Sequence, residues 1–538
     1  MKRNCIIIGF LLVSFSSFAQ DFNVSYSQML PNSYFTSVIN AGKIGNSIYQ
    51  IKSDKKGLYL DIYDAQKMNL ISSKLFKAKR CETNDCIDKH FDYVKTSFMK
   101  DAILLFFQTY DKKADQRLLF VQKVDLKGNF SGKLVQIDQI DTKKRSEGSF
   151  NVWQSEDSTK FMVINNPPFE KYNNEKFGFK VYNTSLKNLN NLSITLPYKD
   201  KNLSVIDYYL GNDSKIYLLT RIDLDKVQKV KGQAPFFFSI LSINPQTSAL
   251  SEFKVNMPSK NIEDIVLRLD KDSKVITCSG FYSDLKAKEY VGKDIDGFFY
   301  MSIDAATQQI ITKGFKAIDK AMIAELMDVK NVDKMKDGAG ISNNFEIRYL
   351  KKKSDGTTTL IAEYRKLIVT STTSCSQNGG CTTSYTYHYY RENIFVVNIG
   401  VDGSVLSFID IPKKQITVND GGMFSSFMTF EKGDNIYLIF NDSPDNLDAS
   451  IRTLKDIKPM PRVNKACLVA VGINKDGSYT KTKIHDNLTK KLISMPESGM
   501  EVGRGEYIIP AQEPMGSCVC ACTVMFKKIL KGFIKITM

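Results

Sequence analysis

Histidine and tryptophan are nearly absent from this chain, with three and one among 538 residues. Histidine supplies most general bases, and His90, His388 and His485 fall in three separate parts of the sequence. No Gly-x-Ser-x-Gly elbow, His-Glu-x-x-His helix or phosphate-binding loop is present, so the commonest hydrolase, zinc-protease and nucleotide-binding signatures are missing. Beyond residue 20 no stretch reaches the roughly 18 apolar residues that a membrane span needs. Asp355-Gly356, Asp402-Gly403 and Asp476-Gly477 lack the alternating acidic ligands of a calcium loop and read as turns. No metal and no cofactor are expected.

What the ends carry is more specific. Lys2 and Arg3, an apolar run from Ile6 to Phe15, and Ser17-Phe18-Ala19 before Gln20 predict a signal peptide over residues 1–19. Cys5 lies ahead of the apolar run, where a lipid-modified cysteine would have to follow it, so a lipoprotein is not expected. The expected location is secreted, periplasmic or at the outer surface. Losing Lys2 and Arg3 takes the formal charge from +16 to +14, a surplus that favours anionic partners of the envelope. A lysine-rich solvated surface is the plainer reading of the same charge.

The chain is also repetitive. An apolar, aromatic-rich strand repeatedly enters an acidic, amide or glycine turn and leaves as a second strand; clear copies are Leu119–Gly128, Ile394–Gly403 and Leu468–Gly477. The residues that open these turns are Asp64, Asp125, Asn183, Asn244, Asp304, Gly400, Asn474 and, more weakly, Ile529, with gaps of 61, 58, 61, 60, 96, 74 and 55. Ahead of each turn lies another hairpin, for example Phe150 to Trp153 turning at Asp157-Ser158 into Phe161 to Ile164. β-Branched and aromatic runs around Asp, Asn, Gly and Ser turns are hairpin chemistry. A period of this size with four strands per unit predicts an all-β chain, a β-propeller of about eight four-stranded blades, with seven as the alternative.

The repeat fills residues 20–538 and leaves no room for a separate catalytic domain. An insert over residues 316–344 explains the longest gap; Ile318, Met322, Leu326 and Val329 fall at helical spacing and predict a short helix near 318–336. The last unit lacks a good fourth strand, while Phe22 to Ser27 has no partner in the first unit. Joining the two would close the ring and remove both free edges.

Strand parity places all the long, irregular segments on one face, including residues 166–176, 222–235, 281–297, 366–392 and 441–465. The close cysteine spacings near that face read as disulfides in a secreted chain. Cys81 is expected to pair with Cys86, Cys375 with Cys381, and Cys467 with one of Cys518, Cys520 or Cys522; Cys278, inside an apolar strand, is left as the free thiol. The Cys-x-Cys-x-Cys run has metal or redox binding as its rival reading. Residues 366–391 lengthen the sixth unit into an arm whose tip is stapled by Cys375 and Cys381. Its returning strand carries Tyr385, Tyr387, Tyr389 and Tyr390 before Arg391. That aromatic face suits stacking on sugars or burial against protein.

Around the arm the chain resembles a group of secreted, β-propeller-like proteins of Gram-negative bacteria that has no settled activity. The shared segments are Leu360 to Tyr364, Tyr387 to Tyr390, Ile394 to Val397, Ile411 to Gln415 and Tyr437 to Asp442. The resemblance covers residues 345–445 well and the remainder as repeat pattern only, and it bears on fold and location. The stapled arm tip departs from the group.

The expected function is a secreted or envelope-associated binding or scaffold propeller that recognises a protein or glycan on its long-loop face. Alternatives are a glycan-active enzyme whose carboxylates converge in the central funnel, or a purely structural envelope component. Nucleic acid ranks behind protein and glycan as a partner, and the enzyme reading behind the binding one. The single tryptophan, Trp153, precedes its turn, so the repeated Ser-x-Asp-x-Gly-x-x-Trp turns of sialidase-like propellers are missing.

Overall fold

Asp and Asn open the turns of the repeat because their side chains complete them. Asp64 Oδ1 accepts the amides of Gln66 and Lys67 at 2.9 and 2.7 Å, and Asp125 Oδ1 those of Lys127 and Asn129 at 2.9 and 2.7 Å. Asn183 and Asp304 do the same one unit and three units later. A short side chain that bonds its own backbone two or three residues on is what stabilises such turns. The hydrogen bonds from Lys67 and Gln66 hold the Asp64 carboxyl below its usual range, and those of Thr307 do so for Asp304.

The computed structural model describes residues 22–33, 37–54, 56–77, 91–270, 272, 274–285, 294–319, 341–376, 379–448, 455–474, 477–514 and 528–537. Within these, eight antiparallel sheets follow one another along the chain, six of four strands, one of five and one of six, beside a two-stranded ribbon. The first sheet is Ser37–Ile44, Ser47–Asp54, Gly57–Asp64 and Leu70–Lys77 in simple up-and-down order. The next six repeat that order. The eighth is built from Met500–Gly503, Glu506–Gln512 and Lys528–Thr537, and its fourth strand is Asn23–Tyr26 from the other end of the chain. Asn23 pairs with Thr537 and Tyr26 with Ile534, and the preceding Phe22 packs edge-on against Phe430 and Tyr437. The closure expected from the sequence is therefore formed. Ile529, by contrast, opens no turn; it lies inside the strand Lys528–Thr537, because the turn that would follow is replaced by the join to the N-terminal strand.

The core shows why the ring closes at eight. Eight hydrophobic clusters occur, each shared by two neighbouring sheets. One holds Tyr49, Ile51 and Leu60 of the first sheet with Leu105 and Phe107 of the second. The last holds Ile508 and Phe533 of the eighth with Ile48 and Tyr63 of the first. A sheet covered on both faces reads as an unbroken apolar run, and Ile103 to Phe107 are all buried. The chain is a β-propeller. Among the described residues no helix is long and apolar enough to cross a membrane.

First strands of adjacent blades touch one another around the axis, and several carry a β-bulge at the same place. The residue after the bulge reaches the next blade. Asn40 Nδ2 donates to Thr96 O at 2.9 Å and Lys95 Nζ to Val152 O at 2.7 Å. Asp264 Oδ2 accepts Ile347 N at 3.0 Å, and the Tyr349 hydroxyl donates to Glu431. A bulge turns a side chain out of the pleat, so four different residue types make one clasp.

The signal peptide expected over residues 1–19, Cys81, Cys86, Cys518, Cys520, Cys522 and the helix expected near 318–336 lie outside the described residues, apart from Ile318, which is buried in the seam between the fifth and sixth blades.

Candidate binding face

Tight turns follow the first and third strands of a blade; the second and fourth strands are followed by short turns in some blades, as between Ser47–Asp54 and Gly57–Asp64, and by the long loops in others. The arm is one of the long connections. Its strands Thr358–Cys375 and Cys381–Ile399 begin as the middle pair of the sixth blade and continue past it. Cys375 and Cys381 are disulfide-bonded with Cα atoms 4.0 Å apart, as the spacing predicted. Cys467 departs from its expected pairing: it is a free, buried thiol whose Sγ lies 3.6 Å from Asp442 O, because its strand position turns it into the seam between the sixth and seventh blades. Cys278 is free and buried, in the seam between the fourth and fifth.

At the root of the arm the structure assembles a polar cluster that the sequence did not announce. The apolar run of the inner strand ends at Glu363, which is wholly buried and accepts Ser426 Oγ at 2.7 Å. Its other oxygen lies 2.8 Å from Lys413 Nζ, also wholly buried. Lys413 donates further to Arg391 O at 2.8 Å and Gln415 Oε1 at 2.9 Å. Burial pushes the Lys413 ammonium below the ordinary lysine range, and Glu363 pulls it back. A bulge between Glu363 and Arg365 turns the next side chain to the rim. There Arg365 meets Glu497 at 2.6 Å, Glu346 at 3.1 Å and Glu363 at 3.3 Å. Gln415 Nε2 passes the network on to Asn441 O at 2.6 Å, and Asn441 Nδ2 bonds Phe424 O and Ser494 O. Glu363, Lys413, Gln415, Asn441 and Asp442 all come from the segments that carried the resemblance. The only hint in the sequence was a charged residue closing each apolar run.

The five residues predicted to bind divide along the arm. Tyr385 and Tyr387 are 59% and 41% exposed and share a face with Leu367 and Val369, 52% and 47% exposed. Tyr389 and Tyr390 are half-buried, because Gln415–Val418 pairs with the arm at His388 to Arg391. Tyr390 points to the face opposite the other three. Arg391 is corrected from an exposed contact to a buried one: it is 8% exposed and donates to Tyr390 O at 3.0 Å. The root is thus anchored, while the tip has both faces in solvent.

The funnel wall of blades six to eight holds a cavity of about 260 Å³ lined by Arg348, Tyr349, Glu431, Glu497, Glu501 and Tyr507. Glu431 is held by Tyr349 and Lys351, and Glu497 by Arg365 and Arg348. Three carboxyls are raised above the usual range: Glu175 in the third blade, to about 8, through burial and the neighbouring Asp200, and Asp264 in the fifth blade and Glu392 at the arm root, both through burial; none of the three lines this cavity. A larger cavity, about 470 Å³, opens between the fourth and fifth blades beside Phe236, Phe237, Met257, Pro258 and Leu285.

No family model matches the chain, and no curated protein matches its sequence. Among solved structures it is similar to the Dos1 propeller, at 8% identity and a TM-score of 0.43 over 95% of this chain and 94% of that one. It is also similar to the β-propeller domain of the Trilobed protease from Pyrococcus furiosus, described as having an open velcro topology, at 12% identity and a TM-score of 0.34 over 85% of this chain and 97% of that one. A prolyl endopeptidase matches at 9% identity and a TM-score of 0.40 over 89% of this chain, which spans about half (55%) of the endopeptidase.

Proposed function

We propose that this protein is a secreted or envelope-associated binding or scaffold propeller that recognises a protein or glycan on its long-loop face, with the arm as the contact element. The observation that carries this is the division of the arm: a root held by the buried Glu363–Lys413 pair, and beyond it the exposed side chains of Leu367, Val369, Tyr385 and Tyr387 on one face. Exposed aromatic and aliphatic side chains on a rigid support are what binding surfaces use. Glu431 and Glu497 are already engaged by Lys351, Arg348 and Arg365, which weighs against their serving as the carboxyl pair of glycoside chemistry.

The test replaces Leu367, Val369, Tyr385 and Tyr387 with serine and compares both proteins in a pull-down from envelope extract. Capture should be lost while the melting temperature moves by less than about 2 °C, since surface changes away from the core stay within about 0.5 kcal/mol. A fall of roughly 10 °C, about 5 kcal/mol at about 2 °C per kcal/mol for a large chain, would mean that these side chains support the fold, and retained capture would place binding elsewhere.

A further inference from the structure

The arm has an open edge. Beyond Tyr364 the strand Thr358–Cys375 has lost its neighbour Phe345–Lys352 and pairs only with the returning strand. Arg365 N donates to Asn344 O at 2.8 Å, on the side away from the returning strand. Backbone groups alternate along a strand, so residues 367, 369, 371 and 373 direct their N–H and C=O to that same open side. The Cys375–Cys381 pair agrees: its 4.0 Å Cα separation marks the close, non-hydrogen-bonded pairing of the odd-numbered set. Among the described residues no other backbone group fills these positions.

Natural sheets protect such edges with lysine, proline, bulges or a covering loop. Past the bulge at Glu363–Arg365 and Lys366, both at the root, this one has none of them among the described residues. Residues 367–390 contain no Asp, Glu, Lys, Arg or Pro, in a chain that is 25% charged, and the ladder runs without a register shift from Arg365 to Cys375. Resting on the reading of the arm as a contact element, we infer that its partner is a second copy of this chain, joined edge to edge through residues 366–374 in antiparallel register.

Three features single out a second copy. The edge is self-complementary: a twofold axis at Thr370 sets residue 367 against 373 and 369 against 371, which satisfies all four outward residues of each copy with about eight hydrogen bonds. Thr370 of each copy then meets the other across the axis, and Thr–Thr is a favourable cross-strand pair. Lys366 falls opposite Ser374, so no like charges meet. Finally, the net charge of +16, or +14 without residues 1–19, opposes association over most of the surface, and a projecting uncharged arm is where that opposition is weakest. The exposed faces of Leu367, Val369, Tyr385 and Tyr387 become one continuous apolar strip across the join. A contact of about nine residues per strand spans roughly 30 Å, smaller than a standard interface, which makes the dimer weak and reversible.

Sedimentation velocity on the purified protein, from about 1 to 500 µM, tests this. The expected result is a monomer–dimer equilibrium with a dissociation constant between about 10 and 500 µM, the range of small interfaces. Association should strengthen as salt rises from about 0.05 to 0.5 M, because screening removes repulsion. Thr370→Lys sets two ammonium groups opposite each other, and Ser371→Pro removes an outward N–H that the returning strand does not use. Each should raise the constant at least tenfold with an unchanged circular dichroism spectrum. Monomer at every concentration overturns the inference, as does a dimer indifferent to both variants or weakened by salt. If the protein stays monomeric while its arm still captures a partner from extract, the occupant is a foreign strand and only the second-copy assignment falls.

Discussion

Replacing Lys413 with methionine tests the buried charge network at the arm root directly. The ammonium donates to Arg391 O and Gln415 Oε1 at 2.8 and 2.9 Å and lies 2.8 Å from Glu363 Oε1, and both members of the ion pair are wholly buried. Removing one partner of a buried pair costs about 3–5 kcal/mol, because the other charge is left in a poor solvent. Here Glu363 keeps Arg365 and Ser426, so the lower end applies, about 3 kcal/mol. At about 2 °C per kcal/mol for a large chain, Lys413→Met should melt roughly 6 °C lower in calorimetry at neutral pH. Adding Glu363→Gln removes the stranded charge and should recover part of the loss, giving a coupling of about 1–3 kcal/mol in the double-mutant cycle. Hydrogen exchange should show the amides of Lys366 and Tyr390 losing protection before those of the blade. A Lys413→Met protein within about 1 °C of the parent, or strictly additive substitutions, would refute the clamp.

Two other perturbations follow from the closure and the seams. His485 bonds the Tyr26 hydroxyl at 3.2 Å, and burial, helped by Lys490, brings its pKa from 6.5 down to about 4. The folded chain therefore resists protonation: stability is full above about pH 6.5 and declines as pH falls toward 4, by at most about 3 kcal/mol. His485→Phe should flatten that stretch of the stability–pH curve, and an unchanged slope would contradict the assignment. A methyl group on Gly314 would sit 2.0 Å from Gly403 O, where the outer strand of the fifth blade meets a turn of the sixth. Gly314→Ala should lower stability by about 1–3 kcal/mol in urea unfolding, whereas the same change at solvent-facing Gly132, which has open space but φ of +75, should show only the smaller backbone penalty of about 1 kcal/mol.

Periodicity carried the strands, their number per unit and the turns, because each depends on residues near one another in the chain; the join of the two ends, a long-range pairing, followed from counting an incomplete last unit against a spare first strand. Asp and Asn open turns through bonds to their own backbone, and paired apolar runs demand cover on both faces. The disulfide at the arm tip was legible for the same reason, six residues apart. What tertiary structure decided was long-range. Glu363 finds Lys413 and Ser426 across fifty to sixty-three residues, Arg365 meets Glu497 132 residues away, and the bulged residues clasp blades whose identity only the ring fixes. Arg391 was grouped with the tyrosines as a binding residue because it ends their strand; it is buried because Gln415–Val418 folds back along that strand. Cys467 likewise carried no local sign that it would face a seam instead of another thiol. A local pattern sets which strand a residue occupies, but the neighbour across a seam is chosen by the closing of the ring.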